Sequence, residues 1–236
     1  MTKDTAKVVV SLSGGMDSAV CAALAVRDYG AEHVAGLHIS YGQRTEAREQ
    51  TSFLGICEEL GIRRRLVFKT PFFRAIGGSA LTDHGIDVPE AGDEIGASIP
   101  VTYVPFRNAH FLSAAVSWAE VLGAQRIYIG AVQQDSSGYP DCRPEFYEAF
   151  NATIRAGTRE GLIQVKTPLI ALRKHEIVTR GLELGAPFHL TWSCYSREDQ
   201  ACGSCDSCIL RLRAFAAANA VDPIPYLSPA AARDFS

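Results

Sequence analysis

Residues 8–26, VVVSLSGGMDSAVCAALAV, set a β-branched run against a glycine pair and then a stretch with helical spacing. Val8, Val9 and Val10 favour extended chain. Gly14 and Gly15 permit a tight turn, and the residues from Asp17 keep a helical apolar pattern until Gly30. Strand, turn and helix therefore come in succession. In an open parallel sheet such a turn lies at the carboxyl end of its strand, where the free N–H groups and positive dipole end of the helix favour an anion. The turn lacks the G-x-x-x-x-G-K-[ST] of a Walker loop, and with Gly14 and Gly15 adjacent it is not G-x-G-x-x-G either. Asp17 brings a carboxylate where a lysine would be expected. The residues alone leave two readings: a phosphate loop, or a plain turn in which Asp17 or Ser18 caps the helix.

Outward from this stretch, strands and helices alternate. HVAGLHISYG (33–42) reads as a second strand, TEAREQTSFLGICEELG (45–61) as an amphipathic helix and RRLVFKT (64–70) as a third strand. Residues 71–101, rich in glycine, break the rhythm, as a functional or mobile insertion does. The remaining elements are a helix capped by Asn108 (108–124), a fourth strand RIYIGAV (126–132), a helix from Pro144 (144–161), a fifth strand IQVKTPL (163–169) and a helix (173–185). This order predicts an α/β protein with a doubly wound, mostly parallel sheet, over residues 1–186. A small cysteine-rich appendage is expected over residues 187–236.

Composition bounds the function. A chain of 236 residues with 47% hydrophobic content builds a sizeable core, and a formal net charge of -3 argues against wrapping nucleic acid. The densest basic run, Arg63–Arg65, reads as a solvated turn. No run reaches the ~20 apolar residues of a membrane span, and the opening MTKDTAKVVV has neither a signal-peptide core nor a transit pattern. The expectation is a cytoplasmic protein with no nucleic-acid or membrane partner, and a homodimer as the candidate assembly.

Four of the seven cysteines, Cys194, Cys202, Cys205 and Cys208, form C-x7-C-x2-C-x2-C. Four soft ligands at this spacing suit one structural zinc, with Gly203 allowing a tight knuckle. An iron–sulfur cluster competes, although the ferredoxin pattern places its fourth cysteine downstream before a proline; redox-active or simply buried thiols are the third reading. Cys21 and Cys57 lie on apolar helical faces and belong to the core. Cys142, in a polar turn, lacks a sequence-adjacent partner for nucleophilic work. His38, His110 and His175 show no metal spacing.

Two polar stretches stand at predicted strand ends or helix starts. TYVPFRN ends in Arg107 and Asn108, and DSSGYPDCR carries Asp135, Ser136, Tyr139, Asp141 and Arg143. Positive groups are needed where charge develops on phosphates, for which Arg107, Lys166 and Lys174 are candidates. Turn chemistry and capping are the plain alternative for both stretches.

The run Ser13–Ser18 resembles the SGGxDS signature of the PP-loop ATP pyrophosphatases, which share a Rossmann-like adenine nucleotide α-hydrolase fold. With TYVPFRN, DSSGYPDCRPEF and the closing WSC…CGSCDSCILRLRAF, the chain from Val8 to Phe215 is similar to the QueC family of 7-cyano-7-deazaguanine synthases. This resemblance implies ATP held along Leu12, Ser13, Gly14, Gly15, Met16, Asp17, Ser18 and Ala19, with Mg2+ at Asp17. It further implies an ATP-dependent ligase that converts 7-carboxy-7-deazaguanine and ammonia to the 7-cyano base. Asp17, Ser18, Arg107 and Lys166 are then the catalytic candidates. Arg107, Asn108, Asp135, Tyr139 and Asp141 are the substrate candidates, with the aspartates accepting from the N–H edge of a guanine-like base. One departure stands out: the family's common VPGRN is VPFRN here, with Phe106 for glycine. Competing functions are a tRNA-thiolating PP-loop enzyme, a QueC-like ligase with another acceptor, and a non-catalytic nucleotide sensor.

Overall fold

A computed structural model describes residues 5–90, 99–132 and 139–227. Five parallel strands, β1 (Val8–Ser11), β2 (Val34–Ser40), β3 (Arg64–Lys69), β4 (Arg126–Ile129) and β5 (Gln164–Lys166), lie in the order β3-β2-β1-β4-β5. The chain winds from β1 outward to β3, then returns to the other side of β1 with β4. A crevice opens where the order reverses, between the loops that leave β1 and β4.

β1 and β2 are buried at every position, as central strands covered on both faces must be. Alternate side chains of β1 enter different cores. Val8 and Val10 pack with α1 (Met16–Tyr29), α2 (Glu46–Glu59) and α6 (Lys174–Glu183) through residues such as Leu24, Phe53, Ile56 and Ile177. Val9 packs on the opposite face with Leu112 and Ala115 of α4 (Arg107–Leu122) and with Tyr147 and Ile154 of α5 (Pro144–Gly157).

Strands four and five end earlier than expected. At Gly130 a Cβ would fall 2.8 Å from the carbonyl carbon of Asp17, so the chain leaves the sheet there against the start of α1. β5 stops at Lys166, two residues before Pro168, which lacks an N–H for the ladder. Within the insertion, α3 (Phe72–Ile76) is a short helix where the sequence predicts irregular chain. Arg44 ties the segment beyond α3 to the core, donating to the carbonyls of Ala80 (2.7 Å), Asp83 (3.1 Å) and Ile86 (2.7 Å).

Residues after Pro187 share the main core. Phe188 and Phe215 meet edge to face at 5.3 Å between ring centres, in the same apolar cluster as α1. Phe215 belongs to α7 (Asp206–Ala217), whose Arg211 is fully buried and pairs with Asp222 at 2.7 Å. Arg211 also donates to Thr191 Oγ1 at 2.7 Å and to the Phe188 carbonyl at 3.3 Å, while Tyr226 donates to Asp222 at 2.7 Å. The sequence analysis does not single out Arg211 or Asp222, which come together only in the folded chain.

Candidate active site

The turn after β1 is held open by its own small side chains. Gly14 takes φ 94°, and a Cβ there would lie 2.6 Å from the Glu49 carbonyl, so glycine is required both for conformation and for space. Ser13 Oγ accepts from the Gly15 N–H at 3.2 Å and lies 3.1 Å from Ser18 Oγ, which donates to the Gly15 carbonyl at 2.9 Å. Helix α1 starts at Met16 on Gly15, with no side-chain cap. The plain-turn expectation, in which Asp17 or Ser18 caps the helix, therefore does not hold. The first-turn N–H groups are left for a ligand.

Asp17 points instead into the cleft. Its Oδ2 pairs with Lys174 Nζ at 2.6 Å, and its Oδ1 is buried without a hydrogen-bond partner among the described residues. An orphaned carboxylate oxygen beside a row of helix N–H groups fits a divalent cation held next to an anion. Lys174 comes from the start of α6, far along the chain from Asp17.

Loop and lysine form one side of a cleft of about 300 Å3, which Tyr41, Gln43, Glu49, Arg107, Tyr139 and Tyr195 also line. Arg107, the first residue of α4, donates to Tyr41 Oη at 3.2 Å and lies 5.6 Å from that ring and 5.5 Å from the Phe111 ring. Such faces hold a guanidinium without neutralising it. Its Nε is buried and unpartnered among the described residues. Burial pushes the Tyr41 phenol up to about 12, so it stays a neutral acceptor. Glu49, pushed up to about 7 by burial, accepts from Thr45 Oγ1 and Gln43 Nε2, each at 2.9 Å.

The other predicted residues divide. Asn108 and Tyr139 line the cleft, Tyr139 held by Thr102 at 3.1 Å. Asn108 is inside α4 and does not cap it. Asp141 performs that task, accepting the Asn108 N–H at 2.9 Å, while Asn108 Nδ2 donates to the Asp141 carbonyl at 3.0 Å. With its carboxylate given to the helix start, Asp141 is buried and does not line the cleft, contrary to the base-reading role expected of it. Lys166 is exposed at the end of β5 and also lies outside the lining, so Lys174 is the lysine that reaches the loop. Asp135 and Ser136 lie outside the described residues. The thiol of Cys142 is pushed up to about 11 by burial and accepts from Asn108 Nδ2 at 3.4 Å, which makes it a poor nucleophile. His38 is buried, stacked 5.2 Å from Phe53, and burial lowers its pKa.

Phe106 precedes α4 at φ 55°, in the left-handed region, and the residue is 56% exposed. The glycine of the common motif suits that conformation without steric cost. Phe106 meets it with a hydrogen bond from its N–H to Tyr103 Oη at 3.0 Å.

The cysteine set closes on itself. One sulfur from each of Cys194, Cys202, Cys205 and Cys208 lies within 4.8 Å of the others, and Cys202 Sγ is 3.8 Å from Cys208 Sγ. Sulfurs at the corners of a tetrahedron with Zn–S of about 2.3 Å would stand about 3.8 Å apart, so the donors fit. The N–H groups of Cys202 and Cys205 point at Cys194 Sγ (3.4 Å) and Cys202 Sγ (3.3 Å), and Gly203 supplies φ 78°. Backbone donors of this kind favour thiolate. Within the cluster, hydrogen bonds from Cys205 and Cys208 lower the Cys194 thiol, and the same contacts with Cys194 raise those of Cys205 and Cys208. The knuckle also touches the cleft. Ser193, Tyr195 and Ser207 line it, and Trp192 N–H donates to the Gly14 carbonyl at 2.9 Å. Arg48 of α2 lies 4.6 Å from the Trp192 ring.

Sequence reasoning missed Tyr41, Gln43, Glu49, Trp192 and Tyr195. The first three were within reach: YGQRTEARE comes directly after strand two, and polar residues at that carboxyl end point to the crevice by the same rule applied to strand four.

Comparison with known proteins agrees with this geometry. Residues 7–219 match the family model described as Queuosine biosynthesis protein QueC. The chain is 72% identical over 231 residues to the 7-cyano-7-deazaguanine synthase of Koribacter versatilis, covering 98% of each chain. Identity is 66% over 229 residues with that of Acidobacterium capsulatum, covering 96% of this chain and 99% of the relative. It is 58% over 221 residues with that of Chlorobaculum parvum, covering 93% and 96%.

Proposed function

The chain belongs to the queuosine biosynthesis protein QueC family, and on that premise we propose that it makes 7-cyano-7-deazaguanine from 7-carboxy-7-deazaguanine, ammonia and ATP in two activations at one cleft. It is an ATP-dependent enzyme, and no helix among its described residues is long and apolar enough to cross a membrane. We place its work in the cytoplasm.

A carboxylate resists ammonia because its leaving group would be oxide. Attack of the carboxylate oxygen on the α-phosphorus of ATP expels pyrophosphate and converts that leaving group to AMP. Ammonia then displaces AMP to give the amide. A second activation of the amide oxygen, and then loss of AMP, gives the nitrile. The single observation that carries this reading is the unpartnered Asp17 Oδ1 beside the uncapped start of α1. Asp17 would hold Mg2+ there, which when bound would supply positive charge beside the leaving pyrophosphate. Ser13, Gly14, Gly15 and Ser18 present the loop to the phosphates, and Lys174 holds Asp17 and adds positive charge. Arg107, charged and with Nε unpaired, faces the same space and would receive the substrate carboxylate. The four cysteines would hold one structural zinc, keeping the knuckle and Trp192 against Gly14.

The test is product analysis. With ATP, magnesium, ammonium and 7-carboxy-7-deazaguanine, AMP and pyrophosphate are expected, and oxygen-18 placed in the substrate carboxylate should appear in AMP. ADP and orthophosphate as first products would overturn attack at the α-phosphorus.

A further inference from the structure

The amide-forming step needs ammonia with its lone pair free, whereas near neutral pH most of it in solution is ammonium, which has none. A group in the cleft that holds the cation and takes a proton from it would supply the reactive form. Glu49 is placed for this. It stands in the first turn of α2 and lines the cleft shared by the phosphate loop and the Tyr41–Arg107 pair. The backbone of its turn presses on the loop at Gly14, so carboxylate and loop are fixed relative to one another.

The carboxylate is oriented by neutral donors. Thr45 Oγ1 donates to Oε1 and Gln43 Nε2 to Oε2, each at 2.9 Å. Gln43 is itself pinned, accepting the Tyr41 N–H at 2.8 Å. One bond to each oxygen leaves lone pairs for a further donor, and an ammonium ion has donors to give. Burial raises the carboxyl to about 7, against the two hydrogen bonds and Arg107 of α4, and with Glu46 of the same helix reinforcing the rise. Tyr41, which also faces it, is neutral. A base so poised accepts and returns a proton near neutral pH.

We propose that Glu49 is the ammonium-binding residue and general base of the amide-forming step, a role that rests on the reading under Proposed function. Ammonium docks on the carboxylate and one N–H proton passes to Glu49, leaving the electron pair on nitrogen. Ammonia attacks the acyl carbon of the adenylated carboxylate and the C–N bond forms. The C–O bond to AMP breaks with its electron pair on the AMP oxygen, and one proton from nitrogen leaves with AMP. The products are the carboxamide and AMP, and Glu49 returns its proton to water.

Stabilising the start of α2 is the structural alternative, and it would not alter the response to ammonium. The experiment uses the full-length wild type, Glu49→Gln and Glu49→Asp, with total ammonium varied between about pH 6 and about pH 9. Glu49→Gln should lose roughly 100-fold in kcat/KM for ammonium, largely through KM, and its residual rate should climb with free ammonia where the wild type levels off. Glu49→Asp should recover part of the loss. Hydroxylamine, largely unprotonated at neutral pH, should give the hydroxamic acid with Glu49→Gln at close to the wild-type rate. Unchanged ammonium kinetics in Glu49→Gln, or an equal loss with both nucleophiles, would overturn the assignment. If the wild type forms no AMP with either nucleophile, the reaction itself is misread and the assignment falls with it. AMP formation by the wild type confines any failure to Glu49.

Discussion

Asp17 and Lys174 meet at 2.6 Å although 157 positions separate them in the chain, and Asp17 still leaves its second oxygen unpaired. On the proposed reading that oxygen would hold the metal. Asp17→Asn keeps the shape and one acceptor for Lys174 but removes the charge, so turnover should fall by roughly 100-fold or more at saturating ATP with little change in melting temperature. Unchanged turnover would remove Asp17 from the chemistry. Glu49 offers a second residue-scale readout through pH. Its folded pKa is raised from 4.5 to about 7, so the folded state binds more protons across that window and stability falls as pH rises through it. Glu49→Gln removes this penalty, and the stability difference from the wild type should grow in the variant's favour between pH 4.5 and about 7, then level off. Phe106 is legible only with its backbone angle known: a β-branched residue at φ 55° is strained by about 1–2 kcal/mol, so Phe106→Val should lower stability more than Phe106→Gly.

Helix α4 is positioned by a residue outside it. Asp141 accepts the Asn108 N–H, fixing the turn that carries Arg107 into the cleft. Asp141→Ala should cost about 1–2 kcal/mol in urea unfolding and raise the KM for the deazaguanine substrate by displacing Arg107, leaving the KM for ATP less affected. An effect on stability alone would confine Asp141 to capping. The cysteine knuckle is the second such element. Because Trp192 N–H reaches the Gly14 carbonyl, loss of the knuckle should reach the phosphate loop. Cys205→Ser is expected to lose about one bound zinc per chain by elemental analysis and to raise the KM for ATP. A brown protein with iron and labile sulfide would replace zinc by a cluster.

At the scale of the whole molecule, the segment after Pro187 is bound to the α/β layers by apolar burial and held together within itself by charge. Phe188 and Phe215 lie in the cluster that holds α1, and the Arg211–Asp222 pair is almost fully shielded from water. Removing one partner of such a pair leaves a charge buried, at a cost of roughly 3–5 kcal/mol. Asp222→Ala should therefore lower the melting temperature of the entire chain in one transition, with far-ultraviolet circular dichroism and zinc release moving together. Two resolved transitions would show the C-terminal segment folding apart from the sheet.

Local chemistry in the sequence was enough for the alternation of strands and helices, the loop at Ser13–Ser18 and the four-cysteine set. Residue type and spacing decide which backbone angles are open, which face is apolar and how near two thiolates on one turn can come. The resemblance carried by SGGMDS and the closing cysteines points to the family without any coordinate. Tertiary structure decided the rest: that Lys174 rather than Lys166 reaches the loop, that Asp141 caps a helix, that Tyr41, Glu49 and Arg107 share one cleft, and that Arg211 is buried. Each of these is a meeting of side chains from distant elements. Their chemistry comes from desolvation and distance, quantities that do not exist until the sheet has brought those elements together.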